Sequence, residues 1–259
     1  MDLDHIVDLT EYPINGAEFR ARCRQTLDDD GALIMPGFMQ PGAVDQVRQE
    51  GLDHRDKAYF CAQRHSVYLS PTDPAYSDDH PRNRQVISTK GCITDDVVPA
   101  GSPLRTLYDS DAFKSFLCDV LGEEALYPYA DPLSSINLHY ANPGQELGWH
   151  FDNSSFAITL MIQPATAGGQ FEYVENLRDA DAGDMNFDGV ADVLDGKVPV
   201  KQMSQGAGSL ALFRGRNSIH RVAPVEGDTT RMLVVLAYNS APGIALEENA
   251  RMTFYGRLG

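Results

Sequence analysis

Residues 148–160, GWHFDNSSFAITL, place a histidine and an aspartate two positions apart, directly before an apolar run. Alternate side chains of an extended segment point to the same face, so His150 and Asp152 are expected to project together. An imidazole and a carboxylate on one face form either a hydrogen-bonded pair or two of the protein ligands of a metal site. The apolar run that follows them predicts a buried β-strand.

The rest of the second half of the chain is also rich in β-strand signals. Short β-branched and aromatic runs, separated by Gly, Pro and Asn, predict strands at 135–141, 155–163, 170–174, 208–215 and 231–239. Helical patterns in the first half, followed by these strands, are typical of an α+β fold with a sandwich or barrel core. We therefore expect one domain over 1–259, helix-rich over 1–125 and with the β core over 126–259.

The first half contains several helical stretches. Asn15 is expected to cap a helix that ends at the DDDG of residues 28–31. A short strand over 31–39 leads into a second predicted helix over 43–60. Residues 102–121 carry apolar side chains at helical spacing and predict two more helical pieces.

The composition excludes several classes of partner. The formal net charge is −16, and such a field repels phosphate backbones and anionic lipid, which argues against nucleic acid and membranes. The segment MDLDHIVDLTEY lacks the basic and apolar regions of a signal peptide, and the longest apolar runs are only strand-length. We expect a cytoplasmic protein that acts on a small molecule. The four cysteines lie far apart and are expected to be isolated reduced thiols, although a disulfide and a homo-oligomer remain open.

A third metal ligand is needed to complete a catalytic site. Two histidines and one carboxylate, with open coordination positions, are typical of non-haem Fe(II) oxygenases. His220, in FRGRNSIHRVAPVEG, is the best candidate because it lies between a strand-like segment and a proline turn. Eleven residues later, Arg231 opens the apolar strand RMLVVLAYN and is suited to bind a carboxylate through two hydrogen bonds. A surface salt bridge is the alternative role for Arg231.

The ordered set HxD, distal His and Arg resembles the Fe(II)/2-oxoglutarate-dependent dioxygenases. The contexts GWHFDNSSFAITLMIQPATAGGQFEYVENLR and LFRGRNSIHRVAPVEGDTTR are most similar to the hydroxylating relatives of the free-amino-acid (lysine-type) radical halogenases, over about residues 80–240. The resemblance implies a double-stranded β-helix (jelly-roll or cupin-like) core. It also implies Fe(II) bound by His150, Asp152 and His220, with 2-oxoglutarate bound through Arg231.

The same resemblance implies a reaction class. O2 would oxidise a C–H bond of a free amino acid or similar small polar metabolite, as in natural-product biosynthesis, with release of succinate and CO2. It further implies that halogenases replace the carboxylate ligand with a small residue, which opens a coordination position for chloride. Because Asp152 is present, we expect hydroxylation; desaturation and ring closure by the same iron site remain open.

Further residues are candidates for ligand binding. Tyr140, in SINLHYANPG, is expected to hydrogen-bond the cosubstrate or else to pack in the core. A substrate carboxylate needs a cation, and HPRNRQVIS offers Arg82 and Arg84, for which an ordinary surface position is the alternative. His139 is expected to be structural, and Trp149 is expected to pack on the opposite side of the strand from the iron.

Residues 184–192, DMNFDGVAD, have the ligand spacing of an EF-hand-like calcium loop. The twelfth position of that loop is Asp195 rather than the bidentate glutamate, so a solvated acidic loop is the preferred interpretation. Two non-enzymatic classes stay open: a β-helix protein that binds metal without catalysis, and a calcium-regulated binding module.

Overall fold

The strands of the protein form one curled antiparallel sheet. The computed structural model describes residues 2–259. In this part of the chain the strands are β1 (Ala32–Met35), β2 (Tyr59–Ser66), β3 (Gln85–Ile93), β4 (Ile136–Ala141), β5 (Leu147–His150), β6 (Ala157–Gln163), β7 (Phe171–Val174), β8 (Lys201–Met203), β9 (Leu210–Phe213), β10 (Ile219–Val222) and β11 (Arg231–Leu236). The helices of the same part are α1 (Ala17–Asp30), α2 (Pro41–Asp53), α3 (Pro103–Asp109), α4 (Asp111–Leu121), α5 (Phe187–Leu194) and α6 (Glu248–Tyr255).

The sheet has two layers. The larger layer has the order β1-β9-β6-β11-β4-β3, with β2 paired to β3, and the smaller layer has the order β5-β10-β7-β8. Strand β3 joins the layers, because it pairs with β4 and also, at Ser88 and Leu147, with β5. Phe213 of β9 lies edge-on to His220 of β10 with 4.9 Å between ring centroids, so the two layers face each other. The predicted α+β fold with a double-stranded β-helix core is confirmed.

Alternation along β4 shows which face of the larger layer each side chain occupies. Ile136, Leu138 and Tyr140 belong to the main hydrophobic core, which the N-terminal helices cover. Asn137 and His139 therefore point to the opposite face, toward the interior between the layers. This alternation positions the candidate site.

The helices begin and end at recognisable caps. The Ser110 side chain accepts a hydrogen bond from the Phe113 amide at the start of α4, and Gly122 ends that helix with φ of 80°. The predicted helical pieces over 102–121 are thus confirmed as α3 and α4. Asn15 is not the cap of α1: Gly16 holds that position in a turn closed by its amide and the Pro13 carbonyl at 2.7 Å.

The first half of the chain contributes more strands than the sequence predicts. The helix expected over 43–60 ends at Asp53, and β2 begins at Tyr59. With β1 and β3 included, three strands lie within 1–125. The reason is that β2, YFCAQRHS, is a partly exposed edge strand with polar residues, which weakens the periodic signal.

The four cysteines are free thiols. No helix within residues 2–259 combines the length and the apolar character that a membrane span requires.

Candidate active site

Three residues of the predicted metal site converge between the two layers. Strand β5 ends at His150, which is directly opposite His220 of β10 in the β-sheet register. Asp152 Oδ1 lies 3.7 Å from His150 Nε2 and 3.5 Å from His220 Nε2. One ligand atom from each of the three residues lies within 4.8 Å of the other two. The structure therefore brings together the HxD motif and the distal histidine.

Backbone carbonyls orient both imidazole rings. His150 Nδ1 lies 2.8 Å from the Gly148 carbonyl oxygen, and His220 Nδ1 lies 3.0 Å from the Ser218 carbonyl oxygen. A carbonyl can only accept, so each Nδ1 must donate, and each Nε2 keeps its lone pair on the side of Asp152. This is the orientation that second-shell hydrogen bonds give to metal-binding histidines.

The protonation states also suit a metal. Burial, together with the neighbouring His220, lowers the pKa of His150 to about 3, so its ring is neutral at neutral pH. Burial raises the pKa of the Asp152 carboxyl, but His220, His150 and Arg178 outweigh that effect and bring it below its ordinary value. The site thus presents the Asp152 carboxylate beside the neutral imidazole of His150.

The Asp152 carboxylate lies against the backbone of Gly215, and one of its oxygens lacks a hydrogen-bond donor. The Asp152 amide donates to the Gly215 carbonyl at 3.0 Å, and a Cβ on Gly215 would lie 1.9 Å from Asp152 Oδ2. Oδ2 is buried and has no hydrogen-bond partner among the described residues. A buried carboxylate oxygen without a donor is costly unless a cation neutralises it. Two imidazoles and one such carboxylate fit Fe(II).

Arg231 is a buried cation that is suited to bind an acid. It is 6% exposed, its Nε has no partner among residues 2–259, and burial lowers its pKa to about 10. The guanidinium is still protonated at neutral pH. Arg231 is buried and none of the ion pairs among residues 2–259 includes it, so the structure does not support a surface salt bridge. Arg231 lines a cavity of about 160 Å³ together with Met161, Gly169, Phe171 and Met203. Phe171 also stacks on His220 with 5.4 Å between ring centroids, so one residue of the cavity wall contacts a candidate metal ligand.

Comparison with known proteins identifies the family. The model of the family described as Halogenase D matches residues 16–253. The chain belongs to the Halogenase D family. Among curated proteins, no sequence matches the chain.

Solved structures show how widely the fold of this Halogenase D family member is shared. The α-ketoglutarate-dependent epimerase SnoN from nogalamycin biosynthesis has a TM-score of 0.60 at 14% identity, over 86% of this chain and 81% of that one. The carbocyclase SnoK from the same biosynthesis has a TM-score of 0.59 at 14% identity, over 89% of each chain. A prolyl hydroxylase from Trichoplax adhaerens, in complex with a peptide of hypoxia inducible factor, has a TM-score of 0.57 at 14% identity, over 88% and 91%. The chain thus shares the fold of these oxygenases, as the sequence predicts.

Tyr140 is not brought to the site of this Halogenase D family member by any described contact. Its hydroxyl donates to the Gly51 carbonyl of α2 at 2.6 Å, and the side chain is 1% exposed in the main core. The core-packing alternative therefore describes its position. Its neighbour His139, which the sequence suggests is only structural, is the residue that points inward.

Arg82 and Arg84 already have protein partners. Arg84 forms an ion pair with Asp195 at 2.5 Å, and Arg82 donates to the Pro71 carbonyl at 3.0 Å. Both lie in the connection between β2 and β3, part of which packs against the end of α5. The structure shows no contact between either guanidinium and the iron-binding residues, so their predicted role as substrate ligands has no structural support.

Sequence reasoning overlooked other polar residues near the metal ligands. The guanidinium of Arg178 lies 4.1 Å from the Phe151 ring centroid and close enough to Asp152 to lower the pKa of that carboxyl. Lys90 Nζ lies 3.4 Å from His139 Nε2. Lys90 is the one charged residue in the segment STKGCI (88–93), and this was the available signal for it. Arg178 lies in a loop, where the sequence contains no such signal.

The acidic segment 184–195 forms a capped helix. The Asn186 side chain accepts a hydrogen bond from the Gly189 amide, and α5 buries Val190 and Val193. Within residues 2–259, three potential ligands converge only at the candidate iron site and at an exposed N-terminal group, not in this segment. The calcium-loop alternative is not supported. Trp149 packs against this helix on the outer side of β5, as expected.

Proposed function

We propose that the protein is an Fe(II)/2-oxoglutarate-dependent hydroxylase of a free amino acid or similar small polar metabolite. The observation that carries the proposal is the convergence of His150, Asp152 and His220, in which the carboxylate ligand is retained. Membership of the Halogenase D family supports the same chemistry at the level of the superfamily.

The residues have distinct roles in this proposal. The Nε2 atoms of His150 and His220 and the carboxylate of Asp152 hold the metal, while Arg231 binds the far carboxylate of 2-oxoglutarate. When bound, Fe(II) and 2-oxoglutarate supply the oxidising chemistry, in which O2 is consumed, a substrate C–H bond is oxidised, and succinate and CO2 are released. Phe171 and Phe213 flank His220 and keep water away from this side of the site.

Asp152 favours hydroxylation over halogenation. Its carboxylate occupies the position that a halide would need and places a negative charge there. The backbone of Gly215, whose carbonyl accepts a hydrogen bond from the Asp152 amide, lies against the carboxylate and leaves it no room to swing away on that side. A chloride ion would therefore meet both an occupied position and electrostatic repulsion.

Product analysis tests the proposal. The protein is supplied with Fe(II), 2-oxoglutarate, O2 and a panel of amino acids, with chloride or bromide present, and the products are measured by mass spectrometry. We expect succinate and a product that has gained one oxygen atom and no halogen. A halogenated product from the wild-type enzyme would contradict the role of Asp152, and loss of two hydrogens would indicate desaturation or ring closure instead.

A matched pair of histidine variants separates catalysis from simple metal binding. His220→Ala should abolish succinate formation and lower the iron content, whereas His54→Ala, directly after α2 and outside both groups of potential ligands, should change neither. If the wild-type protein binds iron but forms no more succinate than His220→Ala, the protein is a non-catalytic metal-binding β-helix protein.

A further inference from the structure

A partly buried lysine on the inner face of the larger layer has no acidic partner among residues 2–259. We infer that Lys90, with His139 beside it, binds a carboxylate of the organic substrate, and that the side chain of this substrate carries no positive charge. The inference rests on the proposed function and adds the substrate class to it.

The first observation is the position of Lys90. It lies on β3, and its Nζ is 3.4 Å from His139 Nε2 on the adjacent strand β4. The same Nζ is 5.1 Å from the centroid of the Phe254 ring on α6. Since His139 points inward, Lys90 reaches the same interior face. Helix α6 forms a wall of this part of the interior, because the Gln63 side chain donates to the Thr253 carbonyl at 2.8 Å.

The second observation is the missing counter-charge. None of the ion pairs among residues 2–259 includes Lys90. Burial lowers the pKa of its ammonium, and Asp152 is the only carboxylate close enough to oppose that effect. Asp152 is committed to the metal in the proposed function. A partly buried ammonium that faces the interior without a counter-ion is unfavourable, so a bound carboxylate is the expected partner.

The third observation separates Lys90 from the cosubstrate. In the sheet order β6-β11-β4-β3, Lys90 and Arg231 lie on opposite sides of β4. The cavity next to Arg231 is lined by residues of β6, β7 and β8 and of the loops beside them, and it includes no residue of β2 or β3. The cosubstrate carboxylate is therefore expected on the Arg231 side, which leaves the Lys90 side for the substrate.

The fourth observation concerns the sign of the charges. Burial, Lys90 and Arg231 lower the pKa of His139 well below its ordinary value, so the ring is neutral. The His139 Nε2 accepts a hydrogen bond from the Lys90 ammonium, and the Nδ1 of the same ring is left as a donor. The charged residues that influence the pKa of Asp152, Lys90 or His139 are three cations, Lys90, Arg178 and Arg231, and the Asp152 carboxylate itself. The α-ammonium of an amino acid is accompanied by its own carboxylate, but a cationic side chain would need a second acidic partner.

Binding measurements on the anaerobic complex test the inference. The protein with Fe(II) and 2-oxoglutarate is titrated with the standard amino acids, and binding is followed by the absorption band of the iron–cosubstrate complex and by calorimetry. We expect an amino acid with a neutral or acidic side chain to perturb the band and L-lysine and L-arginine to leave it unchanged. The amide of the amino acid that binds should bind at least tenfold more weakly, because it lacks the carboxylate.

Variants of two lysines then locate the carboxylate site. Lys90→Met should weaken binding of that amino acid tenfold or more and leave the 2-oxoglutarate affinity within twofold. Lys197→Met, at the surface, is the matched control and should change neither. If Lys90→Met does not fold, the comparison of acid and amide on the wild-type protein still tests the inference.

The outcomes are separable from those of the proposed function. If the wild-type protein forms no absorption band with Fe(II) and 2-oxoglutarate, the proposed function itself fails. If the band forms but only cationic amino acids, or no amino acid, perturb it, the inference is overturned. It is also overturned if Lys90→Met weakens the cosubstrate rather than the amino acid, or if acid and amide bind equally well.

Discussion

At the scale of single residues, Gly215 controls the position of the carboxylate ligand. A Cβ at this position would lie 1.9 Å from Asp152 Oδ2 and 2.9 Å from His220 Cε1, so Gly215→Ala must displace at least one iron ligand. We expect this variant to lose most of its bound iron and its succinate formation while its circular dichroism stays close to that of the wild type.

Gly206→Ala is the control for this prediction. A Cβ on Gly206 meets no atom within 4 Å, so that variant should bind iron normally. Iron content by metal analysis is the deciding measurement, and an equal iron content in both variants would show that the carboxylate can be repositioned freely.

Arg231 gives a second prediction at this scale. Arg231→Lys keeps the positive charge but loses the planar fork that binds both oxygens of a carboxylate. A lost hydrogen bond to a charged group costs about 1.5–3 kcal/mol, or roughly tenfold or more in affinity. The 2-oxoglutarate affinity of the Fe(II) protein should fall accordingly, as measured by anaerobic titration.

Arg214→Lys is the matched control for Arg231. Arg214 pairs with Asp28 at the surface, so its replacement should leave the cosubstrate affinity unchanged. Unchanged affinity in Arg231→Lys as well would mean that the cosubstrate carboxylate is bound elsewhere.

At the scale of secondary-structure elements, Tyr140 ties strand β4 to helix α2. Its hydroxyl donates to the Gly51 carbonyl, which lies inside the core. Tyr140→Phe leaves that carbonyl without a partner and should lower the free energy of unfolding by about 1–3 kcal/mol. Urea denaturation measures this loss, and the cosubstrate affinity should stay within twofold. A large loss of cosubstrate affinity with unchanged stability would restore the role that the sequence suggests for Tyr140.

At the scale of the whole molecule, buried neutral histidines make the metal-free protein sensitive to acid. Burial, with Lys90 and Arg231, depresses the pKa of His139, and burial with His220 lowers the pKa of His150 to about 3. The unfolded chain titrates near pH 6.5 and so binds more protons than the folded chain below that pH. Each histidine should therefore lower the stability by up to about 1.4 kcal/mol per pH unit as the pH falls below about 6.5.

Urea midpoints of the metal-free protein between about pH 7 and pH 5 check this sign. His139→Asn should reduce the slope of stability against pH, whereas His5→Asn, at an exposed position, should not. Stability that is constant or increases toward pH 5 would contradict neutral buried histidines.

The residue types of the candidate metal site and the class of fold were predictable from the chain alone. The ligand types are local properties of the chain, and the two-residue spacing of HxD places both side chains on one side of an extended segment. His220 and Arg231 were identifiable because each lies next to an apolar run that predicts a strand. Helix α4 was equally clear, because its buried apolar residues repeat with the helical period.

Only the tertiary structure decided which neighbouring side chains serve that site. A shift of one position along a strand moves a side chain to the other face, so Tyr140 lies in the helix-covered core and His139 lies inside. Arg82 and Arg84 find partners on a loop and on α5, while Lys90 reaches the interior because β3 pairs with β4. Strand pairing joins segments that are far apart in the chain, and the local periodicity of either segment contains no information about its partner. The physical reason is that burial and charge at a position are set by what packs against it.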